Sequence, residues 1–186
     1  MKKMTKRGYS RKKKRNTAGI RTKLDLPADA FDFDASRSIL VSRELWVRAG
    51  APSCFDLISR RLEGAADWDP MVGDAKLVGE RTLHPGAVSS LTLSVAGKEL
   101  DSPAVITRWK KGGSMAWVLA KHPKIKEYWR LEPEPGGTRV HFTLGLEILG
   151  NSVLRPIRRL LLRSRMSREA NTKLDRLKSA AEAGVA

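Results

Sequence analysis

The sequence predicts an α+β fold in which an antiparallel sheet of six or seven strands is followed by a long C-terminal helix. Short apolar runs follow one another closely in the middle of the chain, and turn residues rather than crossover helices separate them. A continuous helical pattern then begins near Asn151 and ends at Gly184. These two observations exclude a parallel sheet with interleaved helices.

The first strand and a short helix precede the middle strands. In "ILVSRELWVRAG", Val41, Leu45 and Val47 share one face, which Arg43 interrupts, and this indicates a strand with one buried side. The other face holds Leu40, Glu44, Trp46 and Arg48. In "APSCFDLISRRLEG", Pro52 suits a first helical turn and Gly64 a helix end, so a short amphipathic helix is expected. The turn at "WDP" then leads into the sheet.

Six further strands are predicted from the spacing of turn residues, and the last of them shows the clearest alternation. Val140, Phe142 and Leu144 share one face of that strand, whereas Arg139, His141 and Thr143 share the other, so one face is expected to be buried and the other wet. The predicted ranges are 72–81, 87–96, 98–109, 114–121, 124–132 and 138–149.

The C-terminal helix of about 30 residues is expected to lie on the sheet through one broad apolar stripe. Asn151 and Ser152 are candidate caps at its start. Its other face carries nine basic residues between Arg155 and Lys178, which indicates a solvated surface or a contact with an anionic partner. The members of the stripe are Ile157, Leu160, Leu161, Met166, Ala170, Leu174, Leu177 and Ala181.

An N-terminal arm, residues 1–38, is predicted to be disordered and separate from a single domain over 39–186. Net charge is +16 for the chain, and the arm holds twelve of its 36 Lys and Arg residues but almost no apolar residue before Leu24. The arm, chiefly residues 1–23, would bind nucleic acid or an anionic membrane, or else act as a solvated tail. The candidate polyanion-binding residues are Arg11, Lys12, Lys13, Lys14 and Arg15.

Four motifs in this order resemble the SRPBCC superfamily of START/Bet v 1-like helix-grip proteins, and most closely its polyketide cyclase/dehydrase and lipid-transport branch. They are "VRAGAPSCFDLIS", "WDP", "EYWRLEPEPGGTRVHFTL", and "LRPIRRLLLRSR" running to "LDRLKSAAE". The resemblance covers about 39–183. It implies a curved sheet wrapped on the C-terminal helix, with a cavity between them for an apolar or amphipathic small molecule, and it implies no fixed catalytic set.

The candidate ligand-binding residues combine polar and apolar positions of the inward face. Arg43 and Glu127 would orient a ligand carboxylate or hydroxyl, or form an internal ion pair, and Glu127 is a weak candidate for a general base. Trp68 would lie near one end of the cavity or act as a packing plug. The remaining lining candidates are Leu45, Met115, Trp117, Leu119, Trp129, Phe142 and Leu144.

Other kinds of site find little support. The three histidines are far apart and form no metal-binding pair, and neither a nucleophile elbow nor a phosphate-binding loop occurs, so no metal and no cofactor is expected. Cys54 is the only cysteine, which rules out an intrachain disulfide and indicates a small core residue in a reducing compartment. No run reaches the length of a membrane span and no secretion signal is recognised, so a cytoplasmic location, including one peripheral to a membrane, is expected.

Three functions follow as hypotheses. The first is a carrier or sensor for a hydrophobic, lipid- or polyketide-like small molecule, without catalysis. The second is an aromatase/cyclase-type enzyme that holds a flexible chain in a reactive pose. The third is an adaptor that binds RNA, a ribosome or an anionic membrane through the basic arm and the basic face of the C-terminal helix.

Overall fold

The computed structural model describes residues 38–60, 62, 68–69, 71–79, 82–95, 98–120, 125–148 and 155–184. Its elements are β1 (Ser38–Val47), α1 (Ala51–Arg60), β2 (Val72–Leu77), β3 (Val88–Val95), β4 (Lys98–Lys110), β5 (Ser114–Leu119), β6 (Ile125–Glu134), β7 (Gly137–Glu147) and α2 (Arg155–Ala183). Residues 1–37 of the predicted arm, with its basic run, lie outside the described residues, as do the expected helix end at Gly64 and the candidate caps Asn151 and Ser152, whereas Ser38 begins β1.

All seven strands belong to one antiparallel sheet in the order β1-β7-β6-β5-β4-β3-β2. Strands β2 to β7 are each hydrogen-bonded to the next strand in the chain, and β7 lies beside β1, which forms the other edge of the sheet. Both helices lie on one side of this sheet, where α2 packs along β1 and against α1. A seven-stranded antiparallel sheet, a short helix after the first strand and a long C-terminal helix on the sheet confirm the predicted fold class.

The hairpin between β6 and β7 depends on two consecutive glycines. Gly136 has a φ of +78°, which suits the second central position of a Pro-Gly turn. Gly137 meets a different constraint, because a Cβ atom there would lie 2.3 Å from the carbonyl oxygen of Val47. The hairpin therefore brings the start of β7 into direct contact with the end of β1.

The side of β7 that faces away from the helices is less wet than its alternation predicts. His141 and Thr143 are buried there. Thr143 lies opposite Ser42 in the β1–β7 pair, and their hydroxyl oxygens are 3.0 Å apart. His141 lies between the carboxylates of Glu44 and Glu132. Cross-strand polar pairs therefore cover a surface that a strict alternation would leave to solvent.

The apolar stripe predicted for α2 is wrong for the first turns of the helix. Met166, Ala170, Leu174, Leu177 and Ala181 are buried, but Ile157, Leu160 and Leu161 are 60%, 70% and 61% exposed. An α-helix turns about 100° per residue, so Ile157, nine residues before Met166, points about two and a half turns away, to the opposite side. The sheet-facing stripe therefore begins with the partly buried Leu162 and continues through Met166.

Candidate functional site

A buried ion cluster of Asp69, Glu127 and Lys173 lies between α2 and the sheet. The Lys173 ammonium donates to Glu127 Oε1 at 2.6 Å and lies 3.0 Å from Asp69 Oδ2. All three side chains have no exposed surface. One positive and two negative groups therefore share a largely apolar interior.

Glu127 reaches the cluster because of its position in β6. The alternation of the strand turns Ile125, Glu127 and Trp129 toward the helices, and all three are buried. The indole Nε1–H of Trp129 donates to Glu127 Oε2 at 3.2 Å. The neighbouring tryptophan thus holds one carboxylate oxygen, and the other faces Lys173.

Asp69 is positioned by the turn that follows α1. Its Oδ1 accepts the backbone N–H of Met71 at 2.9 Å, and its carbonyl oxygen accepts the N–H of Val72 at 3.2 Å. An Asp side chain that bonds the backbone two residues on stabilises a turn locally. The same turn leaves Oδ2 directed at Lys173, so the expected turn at "WDP" also supplies a charged group.

Lys173 belongs to the buried stripe of α2, three residues after Ala170 and four before Leu177. Its ammonium lies 5.3 Å from the ring centroid of Phe142 and 5.9 Å from that of Trp129. Both distances are within the range over which a cation is attracted to an aromatic face. The expectation that the basic residues of α2 form a solvated face is therefore wrong for Lys173.

The energetics of the cluster do not by themselves explain it as a stabilising feature. Moving a charge out of water costs several kcal/mol unless partners compensate, and a buried ion pair is often no more stable than apolar residues of the same size. Polar groups inside an apolar interior can instead orient a carbonyl or hydroxyl group of a ligand, or transfer a proton to or from it.

The aromatic and aliphatic candidates lie on the same face of the sheet as Glu127. Strand register places Phe142 beside Trp129 and Trp129 beside Met115 in one row across the sheet. The next row contains Leu144, Glu127 and Trp117. The rings of Trp129 and Phe142 are 4.2 Å apart between centroids. The buried candidates in this wall are Met115, Trp117, Leu119, Trp129, Phe142 and Leu144.

Arg43 and Glu127 face the same side but have different partners. The Arg43 Nε–H donates to Asn171 Oδ1 of α2 at 2.8 Å, and its Nη1 donates to the carbonyl oxygen of Ser42. Arg43 is only half buried because β1 is an edge strand, and the nearby Leu45 is half buried as well. The internal ion pair considered for Glu127 therefore exists, but with Lys173.

Trp68 joins the end of α1 to the sheet. Its Nε1–H donates to the carbonyl oxygen of Leu57 at 3.0 Å. Its ring meets that of Trp129 edge to face, with centroids 6.3 Å apart and planes at 84°. Trp68 therefore packs directly against the residue that holds Glu127, which places it one contact away from the ion cluster.

A cleft of about 340 Å³ opens beside α2, next to the ion cluster. Met71 and Ser94 form one wall, and their backbones are joined by a hydrogen bond of 2.8 Å. The opposite wall consists of Arg165, Arg168, Glu169 and Thr172. Met71 donates its backbone N–H to Asp69 Oδ1, and Thr172 precedes Lys173, so each wall contains a residue next to a member of the cluster in the chain.

Sequence reasoning found Glu127 and missed Asp69, Lys173 and the cleft. A signal for Lys173 was present, since it falls at helical spacing within the stripe of Met166, Ala170, Leu174 and Leu177. Asp69 gave a weaker signal, because an Asp before Pro is typical of a turn whether or not its second oxygen has a partner. The cleft depends on how α2 lies against Met71 and has no local pattern.

Comparison with solved structures shows the same fold in several proteins. The Zhui aromatase/cyclase from Streptomyces sp. R1128 has a TM-score of 0.66 at 18% identity, covering 80% of this chain and 96% of that one. A START superfamily protein from Mycobacterium smegmatis has a TM-score of 0.62 at 14% identity, covering 77% and 97%. For Ara h 8.0201 the TM-score is 0.57 at 13% identity, with coverage of 77% and 97%. These identities show the fold alone.

Comparison at the level of sequence gives the family. Among curated proteins no sequence matches the chain. The family model described as polyketide cyclase/dehydrase and lipid transport matches residues 39–182, which is well over half of the chain and includes Asp69, Glu127 and Lys173. The chain belongs to the polyketide cyclase/dehydrase and lipid transport family, within the SRPBCC superfamily.

Proposed function

We propose that the protein binds a hydrophobic or amphipathic small molecule, of lipid or polyketide type, between the sheet and α2, and acts as a carrier or sensor. The observation that carries the proposal is the cleft, which ends against Met71 beside the buried ion cluster. Its volume of about 340 Å³ falls within the usual range for small-molecule sites.

The composition of the cleft favours an amphipathic ligand. The thioether side chain of Met71 lies at its inner end, and unbranched Met side chains adapt readily to the shape of a guest. Arg165 and Arg168 stand on the α2 wall and outnumber Glu169. A ligand with an apolar body and an acidic or polar head fits this arrangement, with the body toward Met71 and the head toward the arginines.

A longer ligand would extend past Met71 toward the aromatic wall. Trp117, Trp129 and Phe142 are almost completely buried and fill this region, so such a ligand must displace side chains. The ion cluster would then offer the Lys173 ammonium to a carbonyl or hydroxyl oxygen. In this proposal the cleft admits the ligand and the ion cluster discriminates among ligands.

Mass spectrometry of the purified protein, first native and then denatured, tests the proposal directly. A bound lipid or polyketide-like compound would appear as added mass in the native spectrum and as a free molecule after denaturation. An adduct that persists after denaturation is a covalent modification and would not support the proposal.

Binding of cis-parinaric acid, a fluorescent fatty acid, then locates the site. The variant Thr172→Trp places a large side chain in the cleft wall, where Thr172 is exposed, and should weaken binding at least ten-fold. Ser179→Trp is the matched control, because Ser179 is exposed two turns further along the same face of α2. Equal affinities of the two variants would place the probe outside the cleft and refute the proposed site.

An aromatase/cyclase-type enzyme is the second candidate, and the pairing of Glu127 with Lys173 favours it. The Glu127 carboxylate would take a proton from carbon α to a ketone, and the C–H electron pair would form the C=C bond of an enolate. The Lys173 ammonium would stabilise the enolate oxygen. The aromatase/cyclase named above has the same fold, and this similarity supports the proposed chemistry only at the level of the fold.

Proton exchange at 2-tetralone in D₂O separates the enzyme from the carrier. NMR should show faster exchange of the α protons with wild-type protein and a return to the background rate with Glu127→Gln, while cis-parinaric acid still binds. If the wild-type protein binds the probe but exchanges protons only at the background rate, the carrier hypothesis stands and the enzymatic proposal is refuted.

A further inference from the structure

The first turns of α2 expose three large aliphatic side chains. Ile157, Leu160 and Leu161, here called the apolar patch, are between 60% and 70% exposed. Large aliphatic residues gathered on one exposed surface of a soluble domain commonly mark an interaction site.

The apolar patch is a feature of the outer side of α2. Its members are three and four residues apart, which places them on one side of the helix. Ile157 and Leu161 point away from the buried stripe of Met166, Ala170, Leu174, Leu177 and Ala181, and Leu160 lies at its border. The Nη2–H of Arg159 donates to the carbonyl oxygen of Ser38 at 2.8 Å, so this part of α2 is attached to β1 by its opposite side. The patch is therefore held outward.

The surroundings of the apolar patch are strongly basic. Six arginines and no acidic residue occur between Arg155 and Arg168, and the first acidic residue of α2 is Glu169. Arg158 and Arg163 are exposed beside the patch. Together these side chains form a surface whose aliphatic part can be buried by an apolar partner and whose arginines attract anionic groups.

We propose that the apolar patch and its arginines dock the protein on the surface of an anionic lipid bilayer. Helices at a bilayer interface place aliphatic side chains at the boundary of headgroups and acyl chains, while Lys and Arg contact anionic headgroups. An RNA backbone would need the arginines and leave the three aliphatic residues in water. A bilayer accounts for both parts of the surface, independently of what the cleft binds.

The docked surface continues toward the cleft. Arg168 lines the cleft and follows Leu161 by seven residues, which is about two turns and about 10 Å along the same side of α2. A bilayer that receives the apolar patch therefore lies next to the cleft opening.

Sedimentation with vesicles tests the proposal on the full chain. Wild-type protein should bind vesicles of phosphatidylcholine with 30% phosphatidylglycerol far better than vesicles of phosphatidylcholine alone. The triple variant Ile157→Gln, Leu160→Gln, Leu161→Gln should lose at least ten-fold in affinity at 0.5 M NaCl, where surface charges are screened. Val78→Gln, which changes a 53% exposed residue just after β2, is the matched control and should bind as wild type does.

A fluorescent label reports whether the patch enters the bilayer. Leu160→Cys labelled with nitrobenzoxadiazole should shift its emission to the blue on the anionic vesicles, while the same label at Val78→Cys should not. Cys54 is buried and should leave the label at the introduced thiol.

Three results would overturn the proposal. The first is equal vesicle binding by the triple variant and wild type together with an unshifted label at position 160. The second is loss of poly(U) binding in Arg158→Gln, Arg163→Gln with vesicle binding unchanged, which assigns the surface to RNA. The third is dissociation of a dimer by the triple variant in light scattering without lipid, which assigns the patch to a second copy of the chain.

Discussion

Lys173 and Glu127 lie 46 positions apart in the sequence, and their charged groups meet at 2.6 Å in the interior. This contact joins the middle of α2 to β6, and both side chains have no surface exposed to water. Asp69 completes it from the turn after α1. The ion cluster therefore connects α2, the sheet and the turn after α1.

Replacing Lys173 by methionine should destabilise the protein strongly. The substitution keeps most of the side-chain volume but leaves two buried carboxylates without their cation, a change that typically costs about 3–5 kcal/mol. Urea unfolding followed by circular dichroism would measure the loss. Lys178→Met is the matched control, because Lys178 is 39% exposed and its Glu182 partner is 3.9 Å away, so its cost should stay below about 1 kcal/mol.

The double variant Lys173→Met, Glu127→Gln should cost less than the sum of the two single variants. Removing Glu127 as well leaves only one of the two carboxylates without its cation, so part of the first loss is recovered. Strict additivity in urea unfolding would mean that the two groups do not interact in the folded protein.

Gly137→Ala should be destabilising although its backbone is not in a region reserved for glycine. The added Cβ would lie 2.3 Å from the carbonyl oxygen of Val47 and 2.8 Å from the ring of Trp46, so β1 and β7 would have to separate locally. A cost of about 1–3 kcal/mol is expected from such overpacking. Gly113→Ala serves as comparison, because its Cβ would meet only the flexible Lys110 side chain at 3.3 Å. Equal melting temperatures would contradict the close approach.

The Cys54 thiol should be unreactive until the domain opens. It is completely buried, and burial raises the pKa of the thiol, which lowers the fraction of reactive thiolate. Ellman's reagent should find no accessible thiol in native buffer and one per chain in guanidinium chloride. Rapid native labelling would show that α1 separates from the sheet without global unfolding.

Acid should remove a small part of the stability through Glu132. Its hydrogen bond with His141 holds the pKa of the Glu132 carboxyl below its usual value, with a smaller effect of Arg130. A lowered folded-state pKa means that the contribution is complete above the unfolded value and disappears as the pH falls through the folded one. Glu132→Gln should therefore reduce the acid dependence of stability below the ordinary pKa of a glutamate, about pH 4, by less than about 1 kcal/mol because the carboxylate is 37% exposed.

Sequence reasoning predicted the fold well because the fold depends on local periodicity. The alternation in β7 and the spacing from Met166 to Ala181 each indicate an element and its buried face. Strand ends were less accurate, as the predicted strand 72–81 ends at Leu77, before the positive-φ Gly79. No described helix is both long and apolar enough to span a membrane.

The site was harder to predict because its members come from three separate elements. Glu127 stood out as a charge on an apolar face, but its partner could not be identified from β6 alone, and Arg43 was a reasonable alternative to Lys173 on the same side of the sheet. The exposed start of α2 was missed because Ile157, Leu160 and Leu161 are apolar, although the helical angle places Ile157 on the opposite side of the helix from Met166.

The order in which the ion cluster is assembled has a consequence for synthesis of the chain on the ribosome. Asp69 and Glu127 emerge long before Lys173, so a nascent chain that folds its sheet early carries two carboxylates against apolar side chains without their cation. Closure of α2 then supplies the missing charge in the last part of the domain to appear. A chain that is terminated before α2 therefore leaves the apolar face of the sheet uncovered, with two carboxylates that lack their cation, and we expect such a chain to be a substrate for proteolysis.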